Sequence, residues 1–272
     1  MTEGRGFFDF TGKVAFVGGA GNVGEGIGNG KAISILLARR GAAVFAVDIV
    51  PEAAQATVAM IRAEGGRAEA HVADATTSDS VAAAMAACAE RFGGIDIVVN
   101  NVGGSAPGGA VEMSEDVWDA QIAFNLTSTM LGCKHSIPHL LARGGGVIVN
   151  MASIAALRMN AARPHIAYSA AKHGVIALSR SVAVQYAARG IRCNTVIPGL
   201  INTPLVAERL TRQLGVADVA DLIARRDAQV PQGRMGTCWD VANAALYLAA
   251  DEAAHVTGTE LLVDGGIAAA MA

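Results

Sequence analysis

Seven short runs of apolar residues, at 14–17, 43–47, 68–72, 95–99, 147–150, 192–197 and 260–263, punctuate the chain. Several are apolar on consecutive rather than alternate positions, as strands of a parallel sheet covered on both faces must be. Between them lie longer segments whose apolar residues recur at helical spacing. In 31–40, Ala32, Ile33, Leu36 and Leu37 share one stripe and Gly41 stands where the helix should stop. Segments 81–92, 118–140, 169–188 and 239–249 behave similarly. No internal repeat and no linker rich in proline or serine breaks this rhythm. The pattern predicts an α/β fold, a doubly wound parallel sheet in a single domain over residues 1–272. Residues 198–234 form an insertion before the last helix and strand.

At 272 residues the chain can bury a substantial core, and a composition of 52% hydrophobic and 17% charged residues is that of a globular protein. A formal net charge of −3 leaves no basic excess for nucleic acid or an anionic membrane. The opening stretch MTEGRGFFDFTGK lacks the apolar core of a secretory signal, and no apolar run reaches the length of a membrane span. A cytoplasmic protein is therefore expected. Cys88, Cys133, Cys193 and Cys238 are scattered without metal-ligand spacing, so they are read as reduced thiols used as small hydrophobes, and no metal site is expected.

The stretch GGAGNVGEGIGNG, residues 18–30, follows the first apolar run and precedes the first helix. Strand, glycines, helix is the order that lets backbone N–H groups and a helix N-terminus meet a pyrophosphate, although a plain surface turn has the same composition. Asp48 ends the second strand eighteen residues after Gly30, where a carboxylate can accept hydrogen bonds from both hydroxyls of an adenosine ribose. It would also repel a 2′-phosphate. No Lys or Arg lies between Gly18 and Gly30, and Glu25 lies within, which favours NAD over NADP.

Tyr168 and Lys172 stand four apart in YSAAK, on one face of the start of a helix. A neighbouring ammonium favours a phenolate and lowers a pKa otherwise near 10, so such a Tyr can exchange a proton with a hydroxyl or carbonyl oxygen. Ser153 follows the strand VIVNM, at a strand end where open α/β sheets place ligands, and Asn125 is a polar residue among apolar neighbours in FNLTS.

These residues, with Asp74 in VADAT, NNVGG at 100–104, PGLINTP at 198–204 and TGTELLVDGG near the end, resemble the short-chain dehydrogenase/reductase family over almost the whole chain. The resemblance implies a Rossmann-like fold and an alcohol/ketone oxidoreductase. Tyr168 would be the acid/base, Lys172 would lower its pKa and hold the nicotinamide ribose, Ser153 would bond the substrate oxygen, and Asn125 would hold a water in a proton relay. Asp74 and Ala75 would contact the adenine, with Ile49 beside Asp48, and the backbone of Asn101, Val102 and Gly103 would pass the adenine ribose. Pro198, Ile201 and Thr203 would border the nicotinamide, the last two fixing its carboxamide. The family's compact TGxxxGxG turn is enlarged here: Gly30 is the last glycine, Gly28 precedes it, and Gly24 or Gly19 is the first. Gly19, Asn22, Val23 and Gly28 are the candidate pyrophosphate contacts. A long loop is also found in the family's enoyl-thioester reductase branch, which separates Tyr and Lys more widely than YSAAK.

Substrate specificity is expected from 103–106, from 155–165 and from the insertion after Thr203. Arg158, Arg163 and His165 are either binders of a substrate carboxylate or phosphate, or solvated loop charges. Leu205 and Val206 are candidates for an apolar lid. In the helix from Tyr168, Ala171, Val175, Ala183 and Val184 form a small-residue face of the kind the family uses as a dimer seam, and the tail 267–272 offers a second contact, so a homotetramer is expected. The leading reading is an NAD-dependent dehydrogenase of a small or medium secondary alcohol. An NADPH-dependent 3-oxoacyl-thioester reductase and a non-catalytic NAD-binding protein are the alternatives.

Overall fold

The computed structural model describes residues 7–22, 24, 26–204, 206 and 219–271. The main sheet comprises β1 (Val14–Gly18), β2 (Ala43–Asp48), β3 (Ala68–Val72), β4 (Ile97–Asn100), β5 (Gly146–Met151), β6 (Ile191–Pro198) and β9 (Glu260–Val263). All are parallel, in the order β3-β2-β1-β4-β5-β6-β9, and each expected run supplies one strand. A short ladder, β7 (Ile201–Asn202) with β8 (Gly236–Thr237), stands apart from it.

The alternation along β1 explains the layering. Ala15 and Val17 pack with α1 (Asn29–Arg39), α2 (Pro51–Ala63) and α8 (Cys238–Ala249), while Val14 and Phe16 pack with α3 (Ser78–Phe92), α5 (Ser128–Ala142) and α6 (Ile166–Tyr186). Both faces of the strand lose water, so every position is apolar. Helix α2 escaped the periodicity reading because its buried stripe of Ala54, Val58 and Ile61 includes the polar Thr57, whose hydroxyl donates to the Ala20 carbonyl at 2.8 Å.

The segment expected as one helix over 118–140 is α4 (Glu115–Ile122), a π turn at Ala123–Thr127 and then α5. Within 198–234 the described residues include β7 and α7 (Val219–Asp227). All four cysteines are buried and free. No helix among the described residues is long and apolar enough to cross a membrane.

The small-residue face on α6 is corrected by the packing. Ala171, Val175 and Ala183 are buried against the protein's own core, and of the four only Val184, 83% exposed, faces outward. Small residues there let α6 approach the sheet closely.

Candidate active site

The chain runs from β1 outward through β2 to β3, then returns to β4 on the other side of β1, so the loops leaving β1 and β4 diverge and leave a crevice at the strands' C-terminal ends. A cleft of about 600 Å³ lies there, and a second of about 340 Å³ adjoins it toward Ser153 and Tyr168. The two share Asn29, Asn101, Gly103 and Thr203 as walls.

The glycine stretch closes on one carbonyl. A Cβ on Gly30 would stand 1.9 Å from the Gly19 oxygen, and the Asn101 side-chain amide donates to that oxygen at 2.9 Å. Only glycine lets α1 begin so close to the strand. Gly19, Asn22, Gly24 and Gly28 all line the larger cleft; Val23 lies outside the described residues. The helix starts two residues earlier than expected, at Asn29, with Gly28 as its cap. Two residues here were missed by sequence reasoning. The Lys31 ammonium, buried with its pKa lowered by desolvation, reaches back to the Gly26 carbonyl at 3.2 Å and ties the enlarged loop to α1. The Asn29 side-chain oxygen is buried at the seam of the two clefts and has no hydrogen-bond partner among the described residues.

Asp48 sits at the mouth of the larger cleft. Its carboxylate accepts from the Gly21 N–H at 2.9 Å and the Val50 N–H at 3.1 Å, so it organises the loop while facing the cleft. Ile49, Asp74, Ala75 and Val102 line the same cleft. Asp74 accepts from the N–H and hydroxyl of Thr76 at 2.8 and 2.6 Å, which holds its carboxyl below the ordinary range.

Asn125 occupies the π turn and is fully buried. Its amide donates to the Gln121 and Gly104 carbonyls at 3.0 and 2.9 Å and its oxygen accepts the Gly104 N–H at 3.0 Å, pinning the loop after β4. A Cβ on Gly103 would stand 2.8 Å from both the Asn125 oxygen and the Lys172 nitrogen, so these two groups flank one glycine. Ser153 caps a 3₁₀ turn by accepting the Ala155 N–H at 3.2 Å and also hydrogen-bonds Tyr168. Ser153, Tyr168, Lys172, Pro198, Ile201 and Thr203 all line the smaller cleft.

One expectation is reversed within the protein alone. Burial pushes the Tyr168 pKa up, with the Ser153 hydrogen bond pulling it the other way. Burial also brings Lys172 down to about 8. The ammonium donates to the Met151 carbonyl at 2.9 Å and stands 5.9 Å from the Tyr168 ring centre, and the Tyr168 shift is set by burial and Ser153.

Arg158 is also corrected: its guanidinium donates to the Ala268 and Ala270 carbonyls and anchors the C-terminal tail rather than facing a substrate. Arg163 and His165 do line the smaller cleft, as do Val206 and an unforeseen Arg226 from α7. Leu205 lies outside the described residues.

Comparison with known proteins agrees with this geometry. The family model described as enoyl-(acyl carrier protein) reductase matches residues 22–268. The cis-4-hydroxycyclohexanecarboxylate dehydrogenase of Sinomonas cyclohexanicum is 41% identical over 263 residues, 96% of this chain and 98% of its own. The cyclohexanol dehydrogenase of an Acinetobacter species is 37% identical over 257 residues, 94% and 95% of the two chains. A solved structure described as a short-chain dehydrogenase/reductase from Burkholderia xenovorans superposes with a TM-score of 0.90 at 43% identity, covering 98% of this chain and all of that one. The chain belongs to the short-chain dehydrogenase/reductase family. It is an oxidoreductase of the alcohol/ketone type, and the family binds a nicotinamide cofactor.

Proposed function

We propose that the protein is an NAD-dependent dehydrogenase interconverting a secondary alcohol and a ketone, with Tyr168 as acid/base. The observation that carries this is the convergence of Ser153, Tyr168 and Lys172 on one cleft that opens directly into a second one ending at Asp48. A dinucleotide fits the site: the approach of Gly30 to Gly19 leaves bare backbone on the cleft floor, and the buried Asn29 oxygen at the seam, with no partner among the described residues, can accept from a bound donor.

Gly19, Asn22, Val23 and Gly28 would hold the pyrophosphate. Asp48 and Ile49 would hold the adenosine ribose, Asp74 and Ala75 the adenine, and the backbone of Asn101, Val102 and Gly103 would pass beside them. Tyr168 and Lys172 would bond the second ribose, and Pro198, Ile201 and Thr203 would border the carboxamide. When bound, the nicotinamide supplies a hydride acceptor for the carbinol carbon. In oxidation Tyr168, as phenolate, takes the alcohol's O–H proton while Ser153 donates a hydrogen bond to the same oxygen. Lys172, with a pKa of about 8, can hold or release a proton near neutral pH, and Asn125 would hold a water that links it to solvent as a proton relay. In reduction the same proton returns to the carbonyl oxygen.

The Asp48 carboxylate favours NAD by bonding ribose hydroxyls and repelling a 2′-phosphate. The four-residue spacing of Tyr168 and Lys172 supports carbonyl chemistry over enoyl reduction. Residues 198–234 act as the substrate-proximal insertion, and a cytoplasmic homotetramer is the proposed form. The test is a fluorescence titration with NADH and NADPH followed by a screen of secondary alcohols, cyclohexanol among them. Tighter NADH binding with turnover of a secondary alcohol is expected; tighter NADPH binding sinks the cofactor assignment.

A further inference from the structure

We propose that the substrate is a diol, a secondary alcohol with a second hydroxyl, and that this second hydroxyl donates to Nε2 of His165. This rests on the dehydrogenase reading above and adds the substrate class to it. His165 caps α6 three residues before Tyr168 and lines the same cleft of about 340 Å³ as Ser153 and Tyr168.

The His165 ring is held from two sides. A parallel bridge ties its backbone to Gly108: the Gly108 N–H donates to the Pro164 carbonyl at 3.0 Å, and the Ile166 N–H to the Gly108 carbonyl at 3.3 Å. Its Nδ1 stands 3.2 Å from the Ala106 carbonyl oxygen. Ala106 is fixed in turn, because its N–H donates to the Gln121 side-chain oxygen at 3.0 Å. The loop after β4, the end of α4 and the start of α6 thus converge on one half-buried imidazole.

A carbonyl oxygen can only accept, so Nδ1 carries the ring proton. Burial and the charge of Arg163 hold the His165 pKa below its ordinary range, against the pull of the Ala106 bond. The ring is therefore neutral at pH 7, and Nε2 keeps a bare lone pair. Among the described residues no hydrogen bond reaches that nitrogen. A neutral ring has no charge with which to hold a carboxylate or phosphate, so His165 is not the anion binder weighed from the sequence.

The hydroxyls of Ser153, Tyr168 and Thr203 on this wall can donate as well as accept, and Lys172 and Arg226 donate only. Nε2 accepts only. It gains a bond from a hydroxyl and is left unpaired against an ether oxygen or a methylene. An ammonium donor is disfavoured, because Lys172 and Arg226 line the cleft and no Asp or Glu does among the described residues. Ser153 and Tyr168 take the reacting oxygen, so the hydroxyl that meets His165 is a second one. The size of the cleft suits a compact ring or short chain.

In the test NADH is the bound cofactor, so alcohols bind without being oxidised. Cyclohexanediols with their hydroxyls in each relative position, the monomethyl ethers of these diols and cyclohexanol are titrated calorimetrically into the full chain, with and without NADH. At least one diol should bind about fivefold more tightly, or better, than both its ether and cyclohexanol, the worth of one neutral hydrogen bond. His165→Asn keeps a donor for the Ala106 carbonyl at the place of Nδ1 but lacks the second nitrogen, so the preference should vanish. His165→Gln, whose amide reaches the place of Nε2, should retain part of it. Each readout is a ratio within one protein, so a general weakening cancels. Equal binding of diols, ethers and cyclohexanol by the wild type overturns the proposal even where cyclohexanol is oxidised. A diol preference that survives in His165→Asn overturns it as well. A diol preference that His165→Asn loses, seen without any NADH binding, instead sinks the dehydrogenase reading and leaves the hydroxyl site standing.

Discussion

The Lys172 ammonium nitrogen lies 2.9 Å from the Met151 carbonyl oxygen and 5.9 Å from the centre of the Tyr168 ring, at a site where Lys172 is only 3% exposed. Its pKa falls from 10.5 to about 8. An unfolded chain therefore holds a proton between about pH 8 and 10.5 that the native chain has released, and native stability should rise with pH across that window. Below it the burial cost is fully present, about 3 kcal/mol. Lys172→Met should flatten the rise and increase stability at pH 7 by part of that amount, since the Met151 carbonyl loses its donor. Urea unfolding of both proteins at pH 7 and 10 measures this; parallel pH slopes would refute it.

Tyr168 starts above the ordinary tyrosine range, and the Ser153 hydrogen bond is what opposes the rise. Alcohol oxidation, which needs the phenolate, should accelerate as pH increases. Ser153→Ala should move that limb to still higher pH and lower kcat. Tyr168→Phe should reduce kcat by about two to four powers of ten, the usual worth of a positioned acid/base, with NADH affinity changed only severalfold. Profiles of kcat/KM against pH and NADH titrations distinguish these effects from misfolding.

Asp48 accepts from two backbone N–H groups of its own fold, at Gly21 and Val50, and faces the larger cleft. Asp48→Asn keeps an acceptor for one of them while removing the charge. NADH should bind about tenfold more weakly or worse and NADPH more tightly, since a charge-assisted bond is lost and a repulsion removed. An unchanged NADH to NADPH ratio would show that Asp48 serves only the loop.

Gly30→Ala forces a methyl group into the space 1.9 Å from the Gly19 oxygen. The start of α1 must move away, so NADH binding should fall by tenfold or more and the melting temperature by several degrees, an overpacking cost of about 1–3 kcal/mol. Wild-type affinity would mean that Gly30 does not close the phosphate turn.

Arg158→Ala should leave substrate KM nearly unchanged and speed amide hydrogen exchange in the tail, because its guanidinium holds the Ala268 and Ala270 carbonyls. A raised KM for an anionic substrate, without faster exchange, would return Arg158 to the substrate pocket.

The strands were legible in the chain because a sheet covered on both faces requires apolar residues at consecutive positions, and no long-range fact is needed to see that. The spacing of Tyr168 and Lys172 and the place of Asp48 at a strand end were legible for the same reason: both follow from the local geometry of one element. Tertiary structure decided what depends on residues far apart in sequence. It buried Ala171, Val175 and Ala183 of α6 inside the protein, gave Arg158 to the tail, and turned Arg226 rather than its neighbour Arg225 into the substrate cleft. It also set the charge states, because hydration lost around Tyr168 and Lys172 depends on everything packed round them, while their spacing depends only on the helix.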